Sequence, residues 1–270
     1  MELFNIKNKI IVITGGGGVL GGKMASYLLE NEATVVILDY KTDIVNSAIE
    51  RLQKVCTNVF GFVCNVMEES SLQDISTKIL QQFNKIDILI NAAGGNMPGA
   101  TIGEHQTIFD VKIDDFKKVV DLNLFGSILP SLVFGKEMAN NKQGVIINIS
   151  SMTAQSAITR VVGYSASKAA IDNFTKWLSV ELALKYGDGL RVNAIAPGFF
   201  IGNQNRDLLL NKDGSYTDRG NTIIKNTPMK RFGEAEELNG SIHYLCSEAS
   251  KFITGVVIPI DGGFSAFSGV

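Results

Sequence analysis

A short β-branched strand that runs into a cluster of glycines and then into a helix limits the fold of this chain more than any other feature. Lys9-Ile-Ile-Val-Ile-Thr14 reads as an apolar strand buried on both faces. Gly15-Gly-Gly-Gly-Val-Leu-Gly-Gly22 follows, then a helical pattern carrying Met24, Leu28 and Leu29. Glycines let a backbone approach a pyrophosphate closely, and the helix N-terminus behind them offers free N–H groups and a positive dipole end. Taken alone, the cluster reads equally as a tight turn. The second strand adds the missing signal. Thr34-Val-Val-Ile-Leu-Asp39 ends in an acid about twenty residues beyond the turn, the offset of a carboxylate that accepts hydrogen bonds from an adenosine ribose diol. Such a carboxylate repels a 2′-phosphate, and the turn holds no Arg or Lys to attract one. The pair therefore predicts a dinucleotide site that prefers NAD, with NADP the weaker ligand. Lys41 is the one nearby cation, and it reads as solvated surface.

The pattern then alternates. A polar-faced helix spans Ile44 to Val55, a strand Val59 to Asn65, a helix Ser70 to Phe83, and a strand Ile86 to Asn91 that runs into Ala92-Ala-Gly-Gly-Asn-Met-Pro98. A long helix starts at Asp114 and continues to Met138 despite Pro130. A fifth strand covers Gly144 to Ile149, a sixth Leu190 to Ala196, and a last one starts at Val256. Strands alternating with helices imply an α/β fold with a parallel sheet and right-handed crossovers. No Pro/Ser-rich linker or charge block interrupts the 270 residues, so a single domain over 1–270 is expected. Asn203 to Thr227 is polar and irregular; a loop of that length covers a site or carries short helices of its own. We expect it to form a lid over about residues 199–230. Asn123 inside the long helix is solvated, kinks the helix, or is wanted for hydrogen bonding. Ile171, Phe174, Leu178 and Leu182 form one helix face, with Trp177 beside it, suited to core or to a subunit interface.

The stretch Ser150 to Lys168 carries the chemistry. Tyr164 and Lys168 are four residues apart at the start of a helical pattern, which puts a phenol and an ammonium on one face, one turn apart. A strand end delivering a serine hydroxyl toward that pair outlines an acid/base site. A net charge of −2 argues against nucleic acid or an anionic membrane as partner. Cys56, Cys64 and Cys246 form no CxxC pair and read as free thiols in a reducing compartment; His105 and His243 give no metal site. The first strand starts too early to leave room for a signal peptide, and no apolar run approaches the ~20 residues of a membrane span. The cytoplasm is the expected location.

Taken together, Thr14-Gly15 with Gly21, Asp39, Asn91-Ala92-Ala93-Gly94, Asn123, Ser151, Tyr164-x-x-x-Lys168 and Pro197-Gly198 resemble the short-chain dehydrogenase/reductase family over essentially the whole chain. The resemblance implies a doubly wound (Rossmann) domain with a seven-stranded parallel sheet, assembled as a dimer or tetramer. It assigns catalysis to Asn123, Ser151, Tyr164 and Lys168. It assigns the cofactor to Gly15, Gly18, Val19, Leu20, Gly21, Asp39, Asn65, Val66, Asn91, Ala92, Ala93, Gly94, Pro197 and Gly198, with Tyr164 and Lys168. Three positions depart from the family pattern. Val19 stands where a glycine is usual, Asn65 replaces the aspartate that contacts adenine, and Gly202 replaces a threonine that contacts the nicotinamide carboxamide.

Within the family, Ala93 to Pro98, Pro197 to Arg206 and the tail from Asp261 are similar to the D-mannonate oxidoreductases, also called fructuronate reductases. These interconvert D-mannonate and D-fructuronate with a nicotinamide cofactor. Independently, Asn203, Gln204, Asn205 and Arg206 suit a polyhydroxylated acid, whose hydroxyls need paired donors and acceptors. Asn96 joins the substrate candidates, and Arg206, ahead of Arg160, is the candidate for the substrate carboxylate. In the mechanism the resemblance implies, Tyr164 exchanges the substrate proton, Ser151 orients the reacting oxygen, and Asn123 holds a water connecting Lys168 to solvent. Tyrosine titrates near ~10, so Lys168 is expected to lower it electrostatically. Alternatives are a 5-keto-gluconate reductase or similar polyol dehydrogenase, a 3-oxoacyl-carrier-protein reductase, and a non-catalytic NAD sensor.

Overall fold

The computed structural model describes residues 2–202 and 205–269. Asn203 and Gln204, two of the substrate candidates, lie outside the described residues. Seven strands form one parallel sheet: β1 (Ile10–Thr14), β2 (Thr34–Asp39), β3 (Val59–Val63), β4 (Ile88–Asn91), β5 (Gly144–Ile149), β6 (Leu190–Pro197) and β7 (Val257–Ile260). Their order across the sheet is β3-β2-β1-β4-β5-β6-β7. The chain thus winds outward in both directions from β1 and β4. Ligands of doubly wound sheets bind at that switch point, beyond the carboxyl ends of the strands.

The helices are α1 (Val19–Glu30), α2 (Thr42–Leu52), α3 (Glu69–Phe83), α4 (Ile113–Val120), α5 (Gly126–Asn140), α6 (Val162–Tyr186), α7 (Arg206–Leu209), α8 (Asp218–Asn226) and α9 (Asn239–Cys246). Strand alternation sends β1 side chains to two cores. Ile11 and Ile13 pack with Met24 and Leu28 of α1 and with Ile242 and Leu245 of α9. Ile10 and Val12 pack with Leu72 and Ile79 of α3, Phe134 and Met138 of α5, and Leu178 and Leu182 of α6. All five β1 residues are buried, as a strand covered on both faces requires.

Two expectations about the helices need correction. The helix read as continuous from Asp114 to Met138 is broken by a π-helical turn, Asp121–Phe125, between α4 and α5. Its apolar periodicity continues through the turn, so spacing alone does not reveal the break. The same segment, Ile113–Asn140, is long and apolar enough by length and composition to cross a membrane, with a mean hydropathy of 1.3 in its most apolar window. Here it lies along β4, β5 and α6, with Ser127, Pro130, Ser131 and Phe134 buried. The helix α9 had no counterpart in the sequence reading; it is short and opens on Asn239-Gly240, both weak helix formers.

A buried amide network joins the centre of the sheet to its covering helices. Asn91, 1% exposed, donates to Ser131 Oγ at 2.8 Å and to Asn148 Oδ1 at 2.9 Å, and Asn148 donates to Thr175 Oγ1 at 2.9 Å. Truncating Asn91 leaves the Asn148 oxygen without a donor. Asn91→Ala is therefore expected to cost about 1–3 kcal/mol, measured as a lower urea midpoint with an unchanged m-value.

Candidate active site

The switch point is built by backbone meeting backbone. Gly15 has φ +66°, and a Cβ there would sit 2.8 Å from Ala93 Cα and 2.9 Å from Ala92 O. Only glycine lets the β1 turn lie against the β4 turn in this way. Thr14 Oγ1 accepts from the N–H groups of Ala92 and Ala93 at 3.1 Å each, locking the two turns together. A Cβ on Gly21 would meet Gly15 O at 2.4 Å, so α1 can start only this close with glycine there. Gly18 precedes α1, and no side chain caps its first N–H groups. Val19 and Leu20 form the first turn, with Val19 37% exposed.

Asp39, 8% exposed at the end of β2, accepts from Gly17 N at 3.1 Å and from Tyr40 N at 2.9 Å. Its carboxylate therefore closes one side of the glycine turn. Asn65 is exposed beyond β3, donating to Glu68 at 2.7 Å and accepting from Met67 N at 3.1 Å, while its neighbour Val66 is buried. The Asn91 side chain belongs to the buried amide network. Its side chain turns into the sheet network, which leaves only its backbone to face a ligand. Pro197 ends β6, and a Cβ on Gly198 would meet Asp261 Cα at 2.6 Å, holding the last turn against it.

The residues expected to form the acid/base set, Ser151, Tyr164 and Lys168, sit at the carboxyl end of β5 and the start of α6. Ser151, 6% exposed, lies beside the Tyr164 phenol and acts to lower its pKa, and its Oγ accepts from Thr153 N at 3.2 Å. α6 begins at Val162, upstream of the expected start, so Tyr164 and Lys168 share one face of a formed helix. Lys168, 4% exposed, donates to Ile149 O at 2.7 Å, and its Nζ lies 5.5 Å from the centroid of the Tyr164 ring. Gly94 roofs the pair: a Cβ on it would sit 2.7 Å from Asn123 Oδ1 and 3.5 Å from Lys168 Nζ.

Asn123 is fully buried in the π-helical turn, which removes the solvated alternative. Its amide donates to Gly95 O at 2.7 Å and Val119 O at 2.8 Å, and its oxygen accepts from Gly95 N at 3.0 Å. The side chain thus ties the 94–95 turn to the helix. With these bonds made, both amide protons are used, and Oδ1 retains one acceptor position for a water.

Electrostatics in the free protein differ from expectation. Burial holds the Tyr164 phenol above its ordinary pKa, opposed only by the neighbouring Ser151 hydroxyl. The Lys168 ammonium is held by the Ile149 carbonyl. Burial also pushes Lys168 down to about 8, and the Asp172 carboxylate one turn further along α6 partly restores it. Asp172 itself is raised by burial and hydrogen-bonded by Ser150 Oγ. Sequence reasoning passed over Asp172, although its i+4 spacing from Lys168 was visible.

The remaining substrate candidates separate. Asn96 donates to Thr101 Oγ1 at 2.7 Å, leaving its Oδ1 buried without a partner; Thr153 Oγ1 is likewise unpartnered. Asn205 bonds its own loop, donating to Phe200 O and accepting from Gly202 N, both at 2.8 Å. Arg206 is exposed at the start of the four-residue α7. Arg160 is half-buried, four residues before Tyr164. Cys64 and Cys246 are buried free thiols, Cys246 pushed up to about 12 by burial. His243 is held by Tyr27 Oη at 3.0 Å and Phe4 O at 2.6 Å, a packing role.

A strand–glycine turn–helix at the switch point of a seven-stranded parallel sheet, with Ser, Tyr and Lys at the end of β5, defines an oxidoreductase class. The chain belongs to the short-chain dehydrogenase/reductase family. A family model described as enoyl-(acyl carrier protein) reductase matches residues 18–265. An uncharacterized oxidoreductase, UxuB, of Bacillus subtilis is 44% identical, covering 98% of both chains. A 2-dehydro-3-deoxy-D-gluconate 5-dehydrogenase of Formosa agariphila is 34% identical over 100% of this chain and 97% of its own. Among solved structures, a candidate D-mannonate oxidoreductase from Haemophilus influenzae with bound NAD superposes with a TM-score of 0.91, at 43% identity and 98% coverage of both chains.

Proposed function

We propose that this chain is an NAD(H)-dependent oxidoreductase that interconverts D-mannonate and D-fructuronate. The observation that carries the reading is the buried Ser151–Tyr164–Lys168 set beside a glycine turn closed by Asp39, in a chain 43% identical to a candidate D-mannonate oxidoreductase with bound NAD. The residues fit a dinucleotide. Gly15 and Gly21 keep the turn free of side chains, the first N–H groups of α1 lack side-chain caps, and Asp39 is set for a ribose diol. Asp39→Ala is expected to narrow the ratio of kcat/KM for NADH over NADPH by about tenfold or more, as one charge-assisted hydrogen bond is worth. An unchanged ratio, read by absorbance of the reduced cofactors, removes this argument for NAD.

Nicotinamide, when bound, accepts or supplies the hydride. Tyr164 Oη moves the proton: it takes one from the substrate hydroxyl in oxidation and returns it in reduction. Its raised pKa keeps the phenol protonated in the free protein, ready to donate. Ser151 orients the reacting oxygen, and Lys168 brings the positive charge that favours a phenolate. Asn123 and Gly94 hold the roof over Lys168.

A second reading, a different sugar-acid dehydrogenase acting at the fifth carbon, is favoured by the 34% identity to a 2-dehydro-3-deoxy-D-gluconate 5-dehydrogenase. Purified protein with NADH and D-fructuronate, 5-keto-gluconate or an acetoacetyl thioester separates them. Fast reduction of fructuronate supports the first reading, and of 5-keto-gluconate alone the second. Turnover of the thioester alone would sink both, and tight NADH binding with no turnover at all would favour a sensor. Phe125, Leu132, Trp177, Val180 and Leu184 are exposed, whereas Ile171, Leu178 and Leu182 face the core. A homo-oligomer covering the exposed set is the assembly we infer, and the cytoplasm suits its free thiols.

A further inference from the structure

Strained backbone and a guanidinium from a distant helix meet at Thr159 and Arg160. Arg160 is held at φ +77°, a left-handed conformation that costs a non-glycine residue free energy. Its carbonyl accepts from Ile102 N at 2.9 Å, so the segment following β4 is clamped onto it. From the lid, the Arg219 guanidinium reaches Thr159, with Nη1 3.4 Å from Thr159 Oγ1 and Nη2 3.4 Å from its carbonyl. Arg219 lies in the first turn of α8, where a cation opposes the helix dipole. These contacts bring the Arg219 guanidinium to the residue before Arg160, and burial, then the charge of Arg160, push the Arg219 pKa down. Among the described residues, the ion pairs involve Lys7, Lys9, Lys23, Lys85, Lys118 and Arg231, and neither of these two arginines.

Two half-buried arginines, one on strained backbone and the other in the first turn of a helix and bonded to the residue beside it, would be relieved by an anion from outside the chain. Their place in the fold says which kind. Arg160 stands four residues before Tyr164, in the loop that leads from Ser151 to α6, so an anion bound there is held by the segment that joins the two residues expected to meet the reacting oxygen. The Ile102–Arg160 bond ties this loop to the segment that carries the buried, unpartnered Asn96 Oδ1, and Thr153 on the same loop has an unpartnered Oγ1; both suit the hydroxyl groups of a substrate.

We propose that Arg160 and Arg219 together form the carboxylate-recognition site of this enzyme, selecting polyhydroxylated acids over the matching neutral polyols. The inference rests on the sugar-acid reading above and replaces Arg206, exposed on α7, with a residue contributed by α8. Arg219 makes the site depend on the lid: α8 must lie over the 159–160 loop for both guanidinium groups to face one carboxylate bidentately.

The test compares D-mannonate with D-mannitol, in which the carboxylate is replaced by a neutral CH2OH, for the wild type, Arg160→Gln, Arg219→Gln, the double variant and the two lysine exchanges. Loss of each guanidinium should raise KM for the acid roughly 10- to 100-fold with kcat largely retained. NADH binding by fluorescence should stay unchanged and the thermal midpoint should hold or rise, since a like charge is removed, and lysine should restore part of the loss in KM. An unchanged KM in the double variant, or a wild type that oxidises mannitol as well as mannonate, overturns the proposal. If the wild type acts only on another sugar acid, the D-mannonate reading fails while the site is still judged by KM for that acid. If it acts on none, calorimetric titration of the protein–NADH complex with D-gluconate decides. Binding that disappears in the double variant upholds the site, and no binding to the wild type overturns it. Should the double variant unfold, the lysine exchanges carry the decision, since a merely structural arginine would leave KM unmoved.

Discussion

Tyr164→Phe is expected to lower turnover in both directions roughly a thousandfold or more, the range of a positioned general acid/base, and to leave NADH affinity unchanged. The variant removes one oxygen from a ring whose packing on α6 is otherwise kept. Ser151 loses its phenolic neighbour but still accepts from Thr153 N. The fold therefore has no reason to change, and the defect should fall on kcat. Stopped-flow NADH oxidation at saturating cofactor separates the two quantities. A variant that retains more than a tenth of wild-type turnover would show that the proton moves by another route.

What the sequence reveals of this molecule divides along a physical line. The sheet was legible because its signals are local and periodic. β-branched runs, the glycine turn after β1 and the acid at the end of β2 each sit within one element, and parallel order follows from their alternation. The i, i+4 spacing of Tyr164 and Lys168 was legible for the same reason. What escaped depends on where groups point or on distant segments meeting. The π-helical turn at Asp121–Phe125 leaves the apolar pattern intact, so a straight helix reads equally well. The Asn91 backbone is at the switch point, yet its side chain faces Ser131 and Asn148, a direction no spacing encodes. Arg219 meets Thr159 across sixty residues of sequence, through the short helix of a lid that reads as polar loop.

Electrostatics show the same division. From sequence, a lysine one turn from a tyrosine lowers the phenol pKa. In the free protein burial dominates, the ammonium turns to Ile149 O, and the phenol rises. Proximity along a helix sets which groups can interact, whereas solvent exclusion sets the sign of the result. Asp172 adds to this balance from the far side of Lys168, where its attraction raises the lysine and Ser150 holds its carboxylate in place.

Lys168→Met should make the protein more stable and nearly inactive at once. Burial lowers Lys168 from 10.5 to about 8, which at neutral pH corresponds to a cost of about 3 kcal/mol for keeping the charge inside. Methionine removes that cost but deprives the Ile149 carbonyl of its donor, so a net gain of about 1–2 kcal/mol is expected. The gain has a pH signature. Between about 8 and 10.5 the unfolded chain holds the lysine proton and the folded chain does not, so wild-type stability rises with pH across that window. The advantage of the methionine variant should therefore be full below pH 8 and shrink as pH approaches 10.5, measured by urea unfolding of the free protein. Activity moves the other way: without the ammonium, the phenolate of Tyr164 loses its counter-charge, and turnover should fall about a hundredfold or more. In the wild type, kcat/KM for NADH should likewise decline as Lys168 loses its proton near pH 8, well before the raised Tyr164 titrates. A variant destabilised at pH 7 would show that the Ile149 hydrogen bond and the attraction of Asp172 outweigh the desolvation of the lysine.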